Sequence, residues 1–281
     1  MIDLHTHTTA SDGEFTPSEL IDLAINKNIR VLSITDHDTI DGLKEAVEYV
    51  KNKDILFIPG IELKAQCKNG QMHILGYNID YTNLNLQEKL NDLVNKRNIR
   101  NAKYIEYFRS LGFDISLEEL QKISGGLVIG KPHFAKLFLQ KGYIANKDII
   151  YSGYFNCEPL SKIRELAYEP EEVLKIIKEA SGTAVLAHPQ TLKLSDNDLE
   201  DKLKELMDYG LDGLECYHSN QTLEEMQKFR ELALKYKLLI IKGSDYHGPV
   251  VKPNIRLGTG INNNIVNEEE EIILSRLLRN K

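Results

Sequence analysis

The chain has 281 residues, of which 42% are hydrophobic, and a formal net charge of −7. This length allows a complete barrel or a large α/β core with one small extra module. The acidic balance disfavours binding to extended DNA or RNA, because basic residues usually supply the affinity for a phosphate backbone. No run approaches the ~18 apolar residues of a membrane span, and the polar first residues do not resemble a secretion signal. We therefore expect a cytoplasmic protein, with its three cysteines reduced.

Strand-like and helix-like segments alternate along the chain. Seven short apolar or β-branched runs predict strands: MIDLHTH, RVLSIT, ILFIPGIEL, QMHILGY, TAVLAHP, GLECYH and LLIIKGSDYHG. The first helix is predicted over 17–26, because Thr16 is a capping residue, Pro17 suits the first helical position and Glu19 completes a capping box. Further helices are predicted over about 40–51, over EPEEVLKIIKEASG and LEDKLKELMDYG, and in the terminal NEEEEIILSRLLRNK. This order predicts an α/β fold with a mainly parallel sheet.

One region departs from this alternation. From about Asn95 to Ala167 the pattern is helical and contains no convincing strand. We interpret it as a small α-helical insertion domain over one face of a barrel. Residues 1–95 and 168–281 would then form the two parts of the barrel, and 96–167 the insertion. The alternative is a set of additional barrel helices whose strands have been missed.

Histidine is concentrated near the predicted strands. Seven of the eight histidines lie within or just after a strand, whereas His133 lies in the helical region. Parallel α/β folds gather their sites at the carboxyl ends of strands, so residues far apart in sequence would converge on one rim. His5 and His7 would also point to the same face of their strand. The seven are His5, His7, His37, His73, His188, His218 and His247.

Three carboxylates, Asp12, Glu62 and Asp245, occur at matching places. Any one of them could be an ordinary turn or cap residue. With six of the histidines they make nine donors, which is too many for one metal ion and suits two or three ions with bridging carboxylates. Imidazole and carboxylate donors without thiolate suit Mn²⁺, Fe²⁺ or Zn²⁺. The predicted metal ligands are His5, His7, Asp12, His37, Glu62, His73, His188, Asp245 and His247.

Asp36 and Asp38 flank His37. They either orient neighbouring ligands or cap the following helix.

These motifs resemble those of the polymerase and histidinol phosphatase (PHP) superfamily of metal-dependent phosphoesterases, in the same order. Length, the helical interruption, GKPHFAKLF and GLECYH are most similar to the stand-alone enzymes that remove the 3′-phosphate from nucleoside 3′,5′-bisphosphates. Some of these relatives also trim short oligonucleotides from the 5′ end. The matching motifs are His5-Thr6-His7 with Asp12, Thr35-Asp36-His37-Asp38, Gly60-Ile61-Glu62, His73 in MHILGY, Ala187-His188-Pro189 and Ser244-Asp245-Tyr246-His247.

The resemblance implies a distorted (β/α)7 TIM-like barrel with a trinuclear metal site, most often loaded with Mn²⁺. A hydroxide formed at the ions would attack phosphorus in line. Asp245, His247 and His218 would serve catalysis. One ion would be held by His5, His7, Glu62 and Asp245, a second by Glu62, His73 and His188, and a third by Asp12, His37 and His247.

The substrate is expected to be a small phosphorylated molecule, in particular a nucleotide. Lys131 and His133 are candidates to bind the non-reacting 5′-phosphate, and His218 is a candidate phosphate contact or proton donor. Relatives commonly carry Arg where Lys131 stands, and lysine supplies a point charge rather than a bidentate fork.

Three aromatic residues, Tyr151, Tyr154 and Phe155, either stack on a base or belong to the core of the helical region. Other functions are also compatible with these motifs. A histidinol-phosphate phosphatase and a 5′–3′ exonuclease acting on short oligonucleotides share the same chemistry, whereas a metal-binding accessory domain would have no turnover.

Overall fold

The computed structural model describes residues 1–125, 128–161, 163, 167–266 and 269–279. Among these residues seven strands form one sheet in chain order; six fall within a predicted strand run, and β3 continues two residues past the end of its run. Leu4 N donates to Lys242 O over 3.2 Å, and Thr6 pairs with Tyr246, so the sheet nearly closes into a barrel. The strands are β1 (Ile2–Asp3), β2 (Val31–Ile34), β3 (Leu56–Ala65), β4 (Met72–Tyr77), β5 (Thr183–Leu186), β6 (Gly213–His218) and β7 (Leu239–Gly243).

Strand β4 is the exception to the parallel order. It runs antiparallel to both β3 and β5, whereas the pairs β1–β2, β2–β3, β5–β6 and β6–β7 are parallel. The long strand β3 pairs with β2 over 56–59 and with β4 over 60–65. The prediction of a mainly parallel sheet is confirmed, and β4 departs from it because the short link over 66–71 allows only a hairpin, while parallel neighbours need a long crossover.

Ten α-helices are present in the described ranges. The first begins as predicted: Glu19 N donates to Thr16 Oγ1, and Thr16 N donates to Glu19 Oε2. The second is shorter than predicted and is followed by a 3₁₀ turn over Val50–Asn52. The helices are α1 (Pro17–Asn26), α2 (Leu43–Tyr49), α3 (Leu84–Ser110), α4 (Leu117–Ser124), α5 (Lys131–Gln140), α6 (Glu158–Ser161), α7 (Pro170–Glu179), α8 (Asp196–Asp208), α9 (Leu223–Lys235) and α10 (Glu270–Arg279).

The region between β4 and β5 is built on α3. Among its described residues from 84 to 161 there are helices and turns, including a π-helix over Ile149–Tyr154, and no strand. The first part of α3 packs into the barrel core through Leu86, Leu90 and Leu93, and its last part packs into a second hydrophobic cluster through Tyr104 and Phe108. The boundary predicted between residues 95 and 96 thus falls inside a continuous helix, and the division into domains stays a prediction.

The terminal helix α10 packs against β1 and β7. Ile2 N and Lys242 Nζ both donate to Glu270 Oε1, over 3.1 and 2.8 Å. This contact places the acidic start of the helix against the barrel. No helix in the described parts of the chain combines the length and hydropathy needed to cross a membrane. The cysteines Cys67, Cys157 and Cys216 are free thiols.

Candidate metal centre

The nine predicted metal ligands converge. They form four overlapping groups, and within each group the potential ligand atoms lie no more than 4.8 Å apart. Every one of the nine residues belongs to at least one group. The groups are His7, Asp12, His37 and His247; His5, His7 and Asp245; His5, Glu62 and His188; and His37, Glu62 and His73.

The fold explains this convergence. His37, His188 and His247 follow the parallel strands β2, β5 and β7, whose carboxyl ends share one rim. His73 is the second residue of β4, not at its end. Because β4 is antiparallel, its amino end lies at that same rim, where Ala187 N donates to His73 O over 3.0 Å.

The carboxylate of Glu62 is the centre of the cluster. It is fully buried. Burial alone would raise the pKa of Glu62, but the imidazoles of His37, His5 and His73 hold it well below its usual value, so the group is an anion. Its Oε1 lies 2.8 Å from His73 Nδ1 and 2.9 Å from His188 Nε2, and its Oε2 lies 2.9 Å from His37 Nδ1 and 3.3 Å from both His5 Nε2 and His7 Nε2.

Asp245 and Asp12 are the other two carboxylates of the cluster. Asp245 Oδ1 lies 3.3 Å from His7 Nε2 and 3.4 Å from His247 Nδ1. His247 Nε2 lies 3.2 Å from Asp12 Oδ1. His247 Nδ1 is also 2.9 Å from the carbonyl of Asp245, an arrangement in which Nδ1 donates and Nε2 keeps its lone pair towards Asp12. Burial also lowers the pKa of His247 to about 4, so the ring is neutral near pH 7.

The backbone is strained at two of the predicted ligands. Asp245 has φ +57° and His188 has φ +27°, values that residues other than glycine rarely adopt. Such strain is common where a fold has to aim a functional side chain.

Several buried polar atoms of the cluster lack a hydrogen bond. Among the described residues, these are His5 Nε2, both ring nitrogens of His7 and Glu62 Oε2. An unsatisfied buried polar atom costs about 1–3 kcal/mol, so the arrangement calls for a further partner. Nitrogen and oxygen lone pairs that face one another without thiolate are the donor set that divalent cations take. The residues therefore fit a cluster of divalent metal ions.

Known proteins are similar to this chain. The sequence pattern of the PHP domain family matches residues 3–244. The chain belongs to the PHP domain family. It is 30% identical over 258 residues to the 5′-3′ exoribonuclease Rnm of Escherichia coli K12, a match that covers 91% of this chain and 87% of that protein. It is 27% identical to the 3′,5′-nucleoside bisphosphate phosphatase of Chromobacterium violaceum, over 88% of this chain and 87% of that protein.

A solved structure with the same fold also supports membership of this family. A crystal structure from Bifidobacterium adolescentis, described as a metal-dependent phosphoesterase, has a TM-score of 0.83 and 27% identity, covering 99% of this chain and 95% of that one. The PHP chain is thus a hydrolase of phosphoester bonds that uses divalent metal ions. Family, barrel fold and reaction class are confirmed as predicted.

Behind the predicted ligands of this PHP site lies Glu215, which the sequence patterns did not indicate. It is fully buried on β6. Its Oε1 lies 2.9 Å from His5 Nδ1, and its Oε2 accepts the backbone N–H of His188 over 2.6 Å. A carboxylate on Nδ1 turns Nε2 of His5 towards the cluster. The signal that could have found it is an acidic residue inside an apolar strand run, since charged residues are seldom buried without a partner.

Asp36 and Asp38 support the site and do not cap a helix. Asp36 accepts from Thr8 N, Thr8 Oγ1 and Ser11 Oγ over 2.7, 2.6 and 2.6 Å, which holds the loop that leads to Asp12. Asp38 pairs with Arg97 and accepts from Lys64 N. Helix α2 has Gly42 at its cap position, without a side-chain hydrogen bond.

His218 lies beside Asp245. Its Nδ1 accepts from Asn220 N over 3.1 Å, which assigns the ring proton to Nε2. That nitrogen lies 3.3 Å from Asp245 Oδ2. In this arrangement His218 positions Asp245, and its predicted contact with substrate stays a prediction. The same Asp245 oxygen lies 2.5 Å from Lys252 Nζ. No motif pointed to Lys252, because it stands in an irregular loop.

The two predicted phosphate contacts of the helical region, His133 and Lys131, have different neighbours. His133 Nδ1 accepts from Gly130 N over 2.9 Å, and the Ser11 backbone also hydrogen-bonds this ring, next to Asp12. Lys131 Nζ lies 5.2 Å from the centre of the Phe155 ring, and burial together with Arg100 lowers the pKa of this lysine.

The aromatic candidates belong to the second hydrophobic cluster. Phe155 is one of its buried members, and Tyr151 and Tyr154 pack against it. Burial and the charge of Asp12 raise the pKa of Tyr151.

Proposed function

We propose that this PHP enzyme hydrolyses the 3′-phosphoester of nucleoside 3′,5′-bisphosphates and releases the nucleoside 5′-monophosphate. The observation that carries the proposal is the set of nine donors around the buried Glu62 carboxylate. Three divalent ions would be held by the three sets of ligands that the family resemblance implies, and Mn²⁺ is the metal expected. When bound, such ions stabilise charge on phosphoryl oxygens and lower the pKa of water.

The chain's own residues orient the reactants around that cluster. Glu62 supplies the central negative charge. His218 and Lys252 hold one oxygen of Asp245 and leave the other towards His7. Lys131 and His133, on the helix that follows Gly130, are the candidates for the 5′-phosphate. A bisphosphate needs such a second cationic contact, which a single phosphomonoester such as histidinol phosphate does not.

Exonuclease activity on short oligonucleotides is the second candidate. It is favoured by the 30% identity to the exoribonuclease Rnm and by a cleft of about 440 Å³ beside the loop that leads to Asp12. Thr9, Ala10 and Gln121 of α4 are among the residues that line this cleft. Both reactions break the bond between phosphorus and a 3′-oxygen. They differ in whether the phosphate carries another nucleoside, for which the cleft offers room.

The deciding experiment offers Mn²⁺-loaded protein three substrates: adenosine 3′,5′-bisphosphate, a 5′-phosphorylated diadenylate and histidinol phosphate. We expect 5′-AMP and inorganic phosphate in equal amounts from the bisphosphate, measured by chromatography and a phosphate assay. Turnover of the diadenylate alone would support the exonuclease. Turnover of histidinol phosphate alone would contradict both nucleotide proposals.

Replacement of Lys131 tests the 5′-phosphate contact. We expect Lys131→Met to lower kcat/KM for adenosine 3′,5′-bisphosphate by about 10-fold or more, mainly through KM, because a hydrogen bond to a charged group is lost. Activity on adenosine 3′-monophosphate, which has no 5′-phosphate, should not change. Lys136→Met, at an exposed position of the same helix, is the control. Equal losses on both substrates would contradict this role.

A further inference from the structure

Lys252 stands between the metal-ligand cluster and solvent. Its Nζ is 2.5 Å from Asp245 Oδ2, while the other oxygen of Asp245 faces His7 and His247. The Lys252 side chain is 31% exposed, compared with 10% for that of Asp245. A molecule that approaches this side of the cluster therefore meets the ammonium group.

The loop that carries Lys252 is held from two sides. Val251 N donates to Glu14 Oε1 over 2.5 Å, and Lys147 Nζ of the helical region donates to Val251 O over 2.6 Å. Lys252 N donates to Gly248 O over 2.9 Å. Gly248 has φ +102°, and a Cβ there would lie 2.6 Å from Glu14 Cδ, so glycine is required at this turn. These contacts fix the backbone from which the ammonium is presented.

The charge of Asp245 and of the metal site indicates which group the Lys252 ammonium binds. Divalent ions held by Asp245 would share its charge and would therefore weaken its hold on Lys252. A phosphate oxygen offers Lys252 a charge-assisted hydrogen bond in its place. We propose that Lys252 binds a non-bridging oxygen of the reacting phosphoryl group. The proposal rests on the proposed phosphoester substrate and adds a contact to it from outside the metal-ligand set.

The test measures binding of inorganic phosphate to Mn²⁺-loaded protein by calorimetry, with metal content determined by mass spectrometry. We expect Lys252→Met to weaken phosphate binding by about 10-fold or more at unchanged metal content, and Lys252→Arg to restore much of it. For the phosphoester substrate, Lys252→Met should also raise KM. Lys228→Met is the control, because Lys228 of helix α9 also pairs with an aspartate, Asp196 of helix α8, over 2.8 Å.

Two results would overturn the proposal. Undiminished phosphate binding by Lys252→Met at full metal content would show that the ammonium does not contact phosphate. Loss of metal from both Lys252→Met and Lys252→Arg would show that Lys252 only holds Asp245. If Lys252→Met fails to fold, Lys252→Gln, which keeps a polar end, takes its place. A wild-type protein that binds phosphate but does not hydrolyse adenosine 3′,5′-bisphosphate would overturn the nucleotide assignment and not this contact.

Discussion

Glu62→Gln is expected to remove bound metal and phosphoester hydrolysis together. The substitution preserves size but replaces the central anion by an amide whose NH₂ group faces imidazole nitrogens within 3.3 Å. Loss of an outer partner of a metal ligand costs up to about 100-fold in affinity or activity, so loss of this central ligand should exceed that.

The measurement combines metal content of the purified protein with kcat/KM. A thermal melt with and without added Mn²⁺ is a second readout, because an ion that binds only the folded state raises Tm. We expect this increase for the wild type and not for the variant. Glu231→Gln, at an exposed site next to Gln227, is the matched control. A Glu62→Gln protein with full metal content would contradict the central position of Glu62.

Glu215→Gln is expected to weaken metal binding by about 10- to 100-fold without direct contact to the ions. The Glu215 carboxylate contacts the ring of His5 and accepts the backbone N–H of His188. These two predicted ligands follow two different strands. A neutral amide makes His5 a weaker donor and allows its ring to turn. The loss should be smaller than for Glu62→Gln.

Titration of metal-free protein with Mn²⁺ measures this effect, and Glu215→Asp shows whether charge or length matters. Glu224→Gln on the exposed side of α9 is the control. If activity falls while Mn²⁺ affinity stays at the wild-type value, Glu215 does not act through the metal ligands.

Local patterns were sufficient to predict the strands and one helix start. Each of the seven strands overlaps an apolar run, and only β3 extends past its run, since burial in a sheet selects β-branched and apolar residues over a few positions. The start of α1 was correct because the Thr16–Glu19 capping box involves residues only three positions apart. The nine predicted ligands also lie close together, as their chemical type and their place near strands suggested.

His73 shows where this reasoning was incomplete. It was predicted at the shared rim because the sheet was expected to be mainly parallel and sites gather at the carboxyl ends of parallel strands. It lies there because β4 is antiparallel and His73 is near its beginning. The direction of a strand depends on the length of the link and on the partners it meets, which hydrophobic periodicity does not encode.

The sequence by itself determined the elements and the donor chemistry of this protein, because capping, periodicity and residue type are local properties. Only the tertiary structure decided the direction of β4, the continuity of α3 through residue 95, and the contacts of Glu215 and Lys252 with the predicted ligands His5 and Asp245. These two contacts join residues that are 210 and 7 positions apart. The closure of the barrel brings the first pair together and an irregular loop the second, and neither follows a periodic pattern.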